Sequence, residues 1–336
     1  MTCGTAHGKV ILLGEHAVVY GVPALAVGID RGAWADAAAA EGNASVSSLH
    51  VHGWNITVTD DVDDEGLPLA RALRDILRAT RTAQRTSGIS PVGPMMVHAG
   101  ADLPPGGGLG CSAAIGVAIA RALDPAASDA AITERVDAWE RVFHGNPSGI
   151  DMAVSVLGGC IHFERALAAH ESRPTIRRVH LPRPLLLCIG HSGIASSTKT
   201  MVEAVARLRD YHPGATQRAF DAICTFVASA RLALEAGDVR AIGTLLDRNQ
   251  RILRDLSVST PDIERMCETA RTAGACGAKL TGAGGGGSVV AIVEDVARGE
   301  AVLENWKRDG FDGFLARVGA SAGKDVSLSA VVQESA

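Results

Sequence analysis

Residues 104–114 read PPGGGLGCSAA, a glycine cluster that runs straight into an Ala-rich segment of helical character from Ser112 to Leu123. Glycine has no Cβ, so successive backbone N–H groups can converge on an anion there, and the start of a helix adds about half a positive charge. Pro105, Gly106, Gly107, Gly108, Leu109, Gly110, Cys111, Ser112 and Ala113 therefore read as a phosphate cradle. A tight loop that only caps a buried helix is the competing reading. A Walker loop does not describe this chain, because the Gly8–Lys9 pair follows Gly4 one position too closely and precedes Val10. A dinucleotide fingerprint fits no better. Gly108, Gly110 and Ala113 follow two prolines rather than a strand, and Gly282, Gly284 and Gly287 lead into SVVAIV rather than a helix.

Ser112 stands where loop becomes helix, so its hydroxyl can hold a magnesium ion that bridges phosphates. Glu140, in the helical segment AITERVDAWERVF, is the candidate second ligand, against the alternative of a surface carboxylate beside Arg141. The string HGNPSGID (144–151) places Asn146 as N-cap and Pro147 as first residue of a helix running to about Leu157. Asp151 then falls in its second turn, where a carboxylate can orient an acceptor hydroxyl and take its proton. Lys9 would keep that carboxylate ionised and polarise the hydroxyl. Otherwise Asp151 would only complement the helix dipole, worth about 0.3–1 kcal/mol, and Lys9 would be an exposed strand-edge residue.

The elements that must position these groups follow from pattern. KVILL (9–13) and AVVYGVPALAVGI (17–29) predict a strand, a tight turn and further extended chain. From Gly32 to Gly66 the sequence turns polar and small, a solvated loop flanked by strand-like SLHVHGW and NITVTD. Its acidic end, DDVDDEG, resembles a metal cluster but reads better as solvated chain. His50 and His52 share a strand face with no third ligand evident, and stay unassigned. Leu69, Leu73, Ile76 and Leu77 predict an amphipathic helix over 67–80, and Ile132, Val136, Trp139 and Phe143 another over 131–143, ended by Gly145. Four helical stretches span 196–273. CGAKLTGAGGGGSVVAIVE then reads as strand, glycine loop, strand, before one more helix and a short strand.

Composition bounds the function. With 336 residues, 47% hydrophobic, the chain is long enough for two packed domains, and proline spacing puts the boundary near Leu181–Pro184. Lys and Arg number 32 against 37 Asp and Glu, so no broad basic field exists for nucleic acid, and any anion site is local. Aromatics at 4% argue against base-stacking grooves. Seven scattered cysteines without a C-x-x-C pair read as reduced thiols, and no apolar run approaches 18 residues. A cytoplasmic protein with no membrane partner is expected, in which case the sequon at Asn55 is a chance match.

Three separated strings, GKVILLGEHAVVYGVPALA at the start, PPGGGLGCSAA, and KLTGAGGGGSVV from Lys279, together resemble the three motifs of the GHMP kinase superfamily. GEHAVVYG and HGNPSGID are most similar to its mevalonate kinase branch. The resemblance implies a two-domain α+β fold, with a ribosomal protein S5 domain 2-like N-terminal domain (1–182), a ferredoxin-like C-terminal domain (183–336) and an active site in the cleft between them. It implies ATP-dependent phosphorylation of the primary hydroxyl of mevalonate, with Mg2+ as cofactor. Sister kinases acting on phosphomevalonate, homoserine or a sugar are the nearest alternative, and a non-catalytic regulator on the same fold a remoter one. A homodimer is left open. Carried over residue by residue, Asp151 matches the catalytic aspartate, Lys9 the lysine beside it, and Ser112 and Glu140 the metal ligands. Glu15 and His16 match a pair near mevalonate, Thr198 a threonine close to the transferring phosphate, and Gly282 and Ala283 the third glycine motif near the substrate carboxylate. Read without the family, His16 is a structural histidine and Thr198 a helix N-cap. The chain departs from the family pattern at His7, usually proline, and Cys111, usually serine. Cys111, at a helix start beside the cradle, is expected to have a stabilised thiolate if it is solvent-accessible.

Overall fold

The computed structural model describes residues 1–42, 44–61, 67–104, 106–144, 148–165 and 174–319. In chain order these form β1 (Thr2–Leu13), a 3-10 turn (Ala17–Tyr20), β2 (Ala24–Ala39), β3 (Ser48–Val51), β4 (Ile56–Thr59), α1 (Pro68–Thr86), β5 (Met95–Ala101), α2 (Cys111–Leu123), α3 (Asp129–His144) and α4 (Ile150–Leu157). There follow β6 (Cys160–Glu164), β7 (Thr175–Val179), β8 (Leu185–His191), α5 (Thr198–Tyr211), α6 (Pro213–Ala236), α7 (Val239–Asp255), α8 (Pro261–Thr272), β9 (Gly277–Thr281), β10 (Ser288–Val293), α9 (Val296–Arg308) and β11 (Asp312–Val318). Two compact units result: Met1–Gly8 with Arg31–Leu103 and Gly110–Gly158, and Lys9–Asp30 with Pro104–Leu109 and Gly159 onward.

One sheet runs in the order β4-β3-β5-β2-β6-β7, with β1 also pairing β2. β2 is the correction to the loop expected from Gly32. Its second half, Ala33–Ala39, pairs antiparallel with Ala101–Met95, and Ala33, Ala35 and Ala37 turn into the core. Alanine, glycine and aspartate favour strand weakly, so cross-strand pairing rather than propensity makes this segment extended. Gly32 is required because a Cβ there would stand 1.8 Å from the Ala6 carbonyl oxygen. Residues 17–20, expected to be extended, instead form the 3-10 turn, closed by Gly21 at φ 86. β3 and β4 match the strand-like strings around residue 50. The acidic run from Val62 to Gly66 lies outside the described residues.

The other sheet is antiparallel throughout, in the order β11-β8-β10-β9. Leu187, Ile189, Val289 and Ile292 are buried in it, Trp306 of α9 lies over Gly190 of β8, where a Cβ would stand 2.8 Å from the ring, and the Trp306 indole donates to the Met266 carbonyl at 2.8 Å. Apolar residues buried on this scale contribute about 1.5–3 kcal/mol each. Helices α5 to α8 match the four predicted stretches.

α1 extends six residues beyond its predicted end, because Thr80 and Gln84 continue its buried face and Gln84 accepts from the Val92 amide at 2.9 Å. α2 starts one residue earlier than expected, at Cys111. α4 begins at Ile150 behind Gly149, whose φ of 85 is left-handed, so Ser148 and Gly149 are not helical and Asp151 falls in the first turn rather than the second. Gly145, Asn146 and Pro147 lie outside the described residues.

Candidate functional site

The glycine loop is held by its carbonyls. Gly107 O accepts from the Ser288 hydroxyl at 2.8 Å, Gly108 O from Lys9 Nζ at 3.0 Å, and Leu109 O from the Lys9 backbone amide at 2.8 Å. In a trans peptide the N–H points opposite to the carbonyl of the same plane. With three successive carbonyls engaged, the amides of Gly108, Leu109 and Gly110 face the other way, the arrangement an anion needs. Gly106, Gly108 and Gly110 all have φ between 70 and 74. Pro105 lies outside the described residues. Lys9 is buried, at 3% exposure, so it is no strand-edge lysine.

The second glycine string packs against this loop. A Cβ on Gly282 would lie 3.3 Å from the Gly108 carbonyl oxygen, and one on Gly284 would sit 2.1 Å from Val258 O. The Gly285 amide donates to Val258 O at 2.7 Å and the Gly287 amide to Ile194 O at 2.8 Å, while the Ser196 hydroxyl donates to Gly284 O. Thr281 Oγ1 accepts from the Ile11 amide at 3.0 Å and donates to its carbonyl at 3.1 Å, tying the string to β1.

Glu15 and His16 reach the same string. Lys279 Nζ donates to Glu15 Oε1, with the two side chains 0% and 1% exposed. Burial raises the Glu15 carboxyl and lowers the Lys279 amine, each opposed by the partner's charge. His16 Nε2 lies 2.8 Å from the Ala283 carbonyl oxygen, which can only accept, so Nε2 carries the proton. Burial lowers the imidazole to about 4, so the ring is neutral at physiological pH. Lys279 was absent from the sequence-predicted site. Its signal was a lysine inside the short strand that precedes the glycines, uninterpretable without its partner.

In the unit that carries α2, α3 and α4, Gly110 occupies the N-cap position of α2 with no side-chain cap, leaving the first amides of α2 to a ligand. The Ser112 hydroxyl donates to Glu140 Oε1 at 2.6 Å, and the Trp139 indole donates to Ser112 O at 3.1 Å. Glu140 is 2% exposed, which overturns the surface reading. Trp139 fits only because residue 116 is glycine, where a Cβ would stand 2.7 Å from the indole. Two hard oxygens on neighbouring helices suit a magnesium ion that takes its remaining ligands from phosphates and water. Among the described residues, no three His, Cys, Asp or Glu side chains converge on a metal geometry. Asp151 is half-buried in the first turn of α4.

Two expectations fail locally. Cys111 is not activated, because it is partly buried and burial pushes its thiol up to about 11. Thr198 is not the cap of α5 but its first residue, exposed; Ser197 caps the helix by accepting from the Thr200 amide.

Residues 72–159 match the GHMP kinases N terminal domain and residues 230–312 the GHMP kinases C terminal domain. The mevalonate kinase of Methanothermobacter thermautotrophicus is 32% identical over 90% of this chain and 94% of its own length, and that of Thermococcus onnurineus 31% identical over 87% and 89%. The chain belongs to the mevalonate kinase branch of the GHMP kinases. A crystal structure of L. major mevalonate kinase in complex with R-mevalonate superimposes on this GHMP kinase with a TM-score of 0.77 at 27% identity, covering 96% of this chain and 97% of the other. The two-domain α+β fold of the GHMP kinases is thereby the fold of this chain. Among its described residues, no helix is long and apolar enough to cross a membrane.

Proposed function

We propose that this chain transfers the γ-phosphoryl group of ATP to the primary hydroxyl of mevalonate, giving 5-phosphomevalonate and ADP. The observation that carries the reading is its identity of 31–32% with mevalonate kinases over 87–90% of its length. The glycine loop supports it, because its amides oppose three engaged carbonyls and run into the start of α2.

In this reading the amides of residues 106–113 take the phosphates, and the α2 N-terminus stabilises their charge. Ser112 and Glu140 would hold a magnesium ion, which when bound neutralises charge on the β- and γ-phosphates. Asp151 orients the acceptor hydroxyl and accepts its proton as the oxygen attacks the γ-phosphorus. The bond to the bridging oxygen then breaks, and ADP leaves with that electron pair. Lys9, whose ammonium is anchored at Gly108 O, polarises the hydroxyl. Glu15, His16, Gly282 and Ala283 bind the acceptor and Thr198 lies by the transferring phosphate. The domains are assigned as 1–182 and 183–336, and the protein acts in the cytoplasm, with no nucleic-acid or membrane partner.

The test is product identity. With R-mevalonate, ATP and Mg2+, 31P NMR should show one new phosphomonoester coupled to the C5 methylene protons, and none when Mg2+ is chelated. Release of inorganic phosphate without an acceptor ester would overturn the assignment.

A further inference from the structure

The Glu15–Lys279 pair carries more than fold stability. Glu15 sits between Gly14, where a Cβ would stand 2.6 Å from Ala24 Cα, and His16, whose backbone is held at φ 60 and ψ −51. That conformation is sparsely populated for a residue with a side chain, and it persists only where its surroundings over-determine it. Two contacts do so, both from one stretch of chain: Lys279 Nζ to Glu15 Oε1, and the Ala283 carbonyl to His16 Nε2. Each leaves one acceptor over. Glu15 Oε2 and His16 Nδ1 are buried and have no hydrogen-bond partner among the described residues. A pair selected for stability alone would satisfy those atoms, since a buried acceptor without a donor is costly. Lys279 itself is fully enclosed and also donates to the Leu280 carbonyl, so it has little freedom to reach a ligand.

We propose that Lys279 is a positioning residue for the acceptor, acting through Glu15: it holds one carboxylate oxygen so that Glu15 Oε2 and His16 Nδ1 stand as a pair of acceptors for hydroxyl donors of the substrate. This rests on the reading of the chain as a kinase for a small polyhydroxylated acid. Both atoms are closed to solvent, so an acceptor reaches them by displacing the groups that cover them. Lys279 thereby sets acceptor affinity and leaves nucleotide affinity alone.

Lys279→Met tests this. Without its partner the buried Glu15 carboxyl is pushed toward its protonated form and its fixed orientation is lost. KM for mevalonate should rise about tenfold or more, the scale of one charge-assisted hydrogen bond, with KM for ATP within about twofold of wild type. That KM should also become pH-dependent, falling as the pH is raised and Glu15 ionises, whereas the wild-type value varies less. Because the single variant leaves a buried carboxyl unpaired, Glu15→Gln/Lys279→Met is measured beside it. Two neutral groups remove the unpaired charge, so the double variant should fold, as read by circular dichroism, with mevalonate KM still raised but flat in pH. Wild-type mevalonate KM in either folded variant, or an equal rise in KM for ATP, overturns the proposal. Failure of the underlying reading looks different: wild-type protein would then transfer nothing to mevalonate.

Discussion

Lowering the pH should protonate His16 only near pH 4, and at a measurable cost. Its Nε2 proton is committed to the Ala283 carbonyl, so a second proton must enter at Nδ1, a buried atom with no hydrogen-bond partner among the described residues. Burial is the main reason the imidazole lies at about 4 rather than 6.5, with Lys279 adding to it and the hydrogen bond to Ala283 opposing it. That depression corresponds to roughly 3 kcal/mol between the two protonation states. The sign follows from linkage. The unfolded chain takes up the proton near pH 6.5 and the folded one only near pH 4, so stability is fully present above pH 6.5 and is lost as pH falls toward 4. At pH 5 the loss from this residue is roughly 2 kcal/mol. Protein labelled with 13C at histidine Cε1, titrated from pH 8 to 4.5 and assigned by comparison with His16→Gln, should show the His16 resonance unmoved above pH 5. Urea midpoints should agree: wild type should lose roughly 2 kcal/mol more between pH 7 and pH 5 than His16→Gln does. A His16 resonance titrating near 6.5, or equal losses in the two proteins, would refute the burial argument.

Three further outcomes are expected. Asp151→Asn keeps the shape of the side chain and removes the base, so kcat should fall about 100- to 10,000-fold with KM for ATP little changed; near-normal turnover would remove Asp151 from the mechanism. Ser112→Ala deletes the hydroxyl that donates to Glu140 and a hard oxygen for the metal, so half-maximal activity should require several-fold more Mg2+, and an unchanged Mg2+ titration would count against Ser112 as a ligand. Cys111, raised to about 11 by burial, should react with iodoacetamide at pH 7.5 at least about tenfold more slowly than exposed Cys3 and Cys224; peptide mapping that finds Cys111 labelled first would contradict this.

Local demands were legible in the sequence, and distant partnerships were not. Gly106, Gly108 and Gly110, like Gly282 and Gly284 to Gly287, adopt positive φ, which few other residues accept, so the loops are written in the residue types themselves. The Ser112–Glu140 contact was inferable because both belong to helices readable from periodicity. Glu15 and Lys279 are 264 positions apart, and no local pattern announces that a strand lysine will be buried against a carboxylate. The same limit hid the alanine-rich half of β2, whose extended form depends on pairing with β5. It also hid the neighbour of His50 and His52: His98 lies directly across the parallel β3–β5 ladder from His50, with His52 Nε2 3.3 Å from His98 Nδ1. Helix ends were the other weakness. Pro147 suggested a start that the left-handed Gly149 forbids, and Ser197 displaced Thr198 as a cap by one residue.

The acceptor is where the account is most exposed. A phosphomevalonate kinase must bind a second phosphate at the acceptor end, which calls for several unpaired Lys or Arg side chains. Here Lys279, the cation beside Glu15, is already paired with it, and Lys9 Nζ is bound to the glycine loop. Steady-state kinetics under one set of conditions, with mevalonate and phosphomevalonate as alternative acceptors, tests the assignment most directly. The account predicts kcat/KM for mevalonate at least about 100-fold higher, a gap of roughly 2.7 kcal/mol in transition-state stabilisation. Equal efficiency on the two acceptors, or faster transfer to phosphomevalonate, would contradict it.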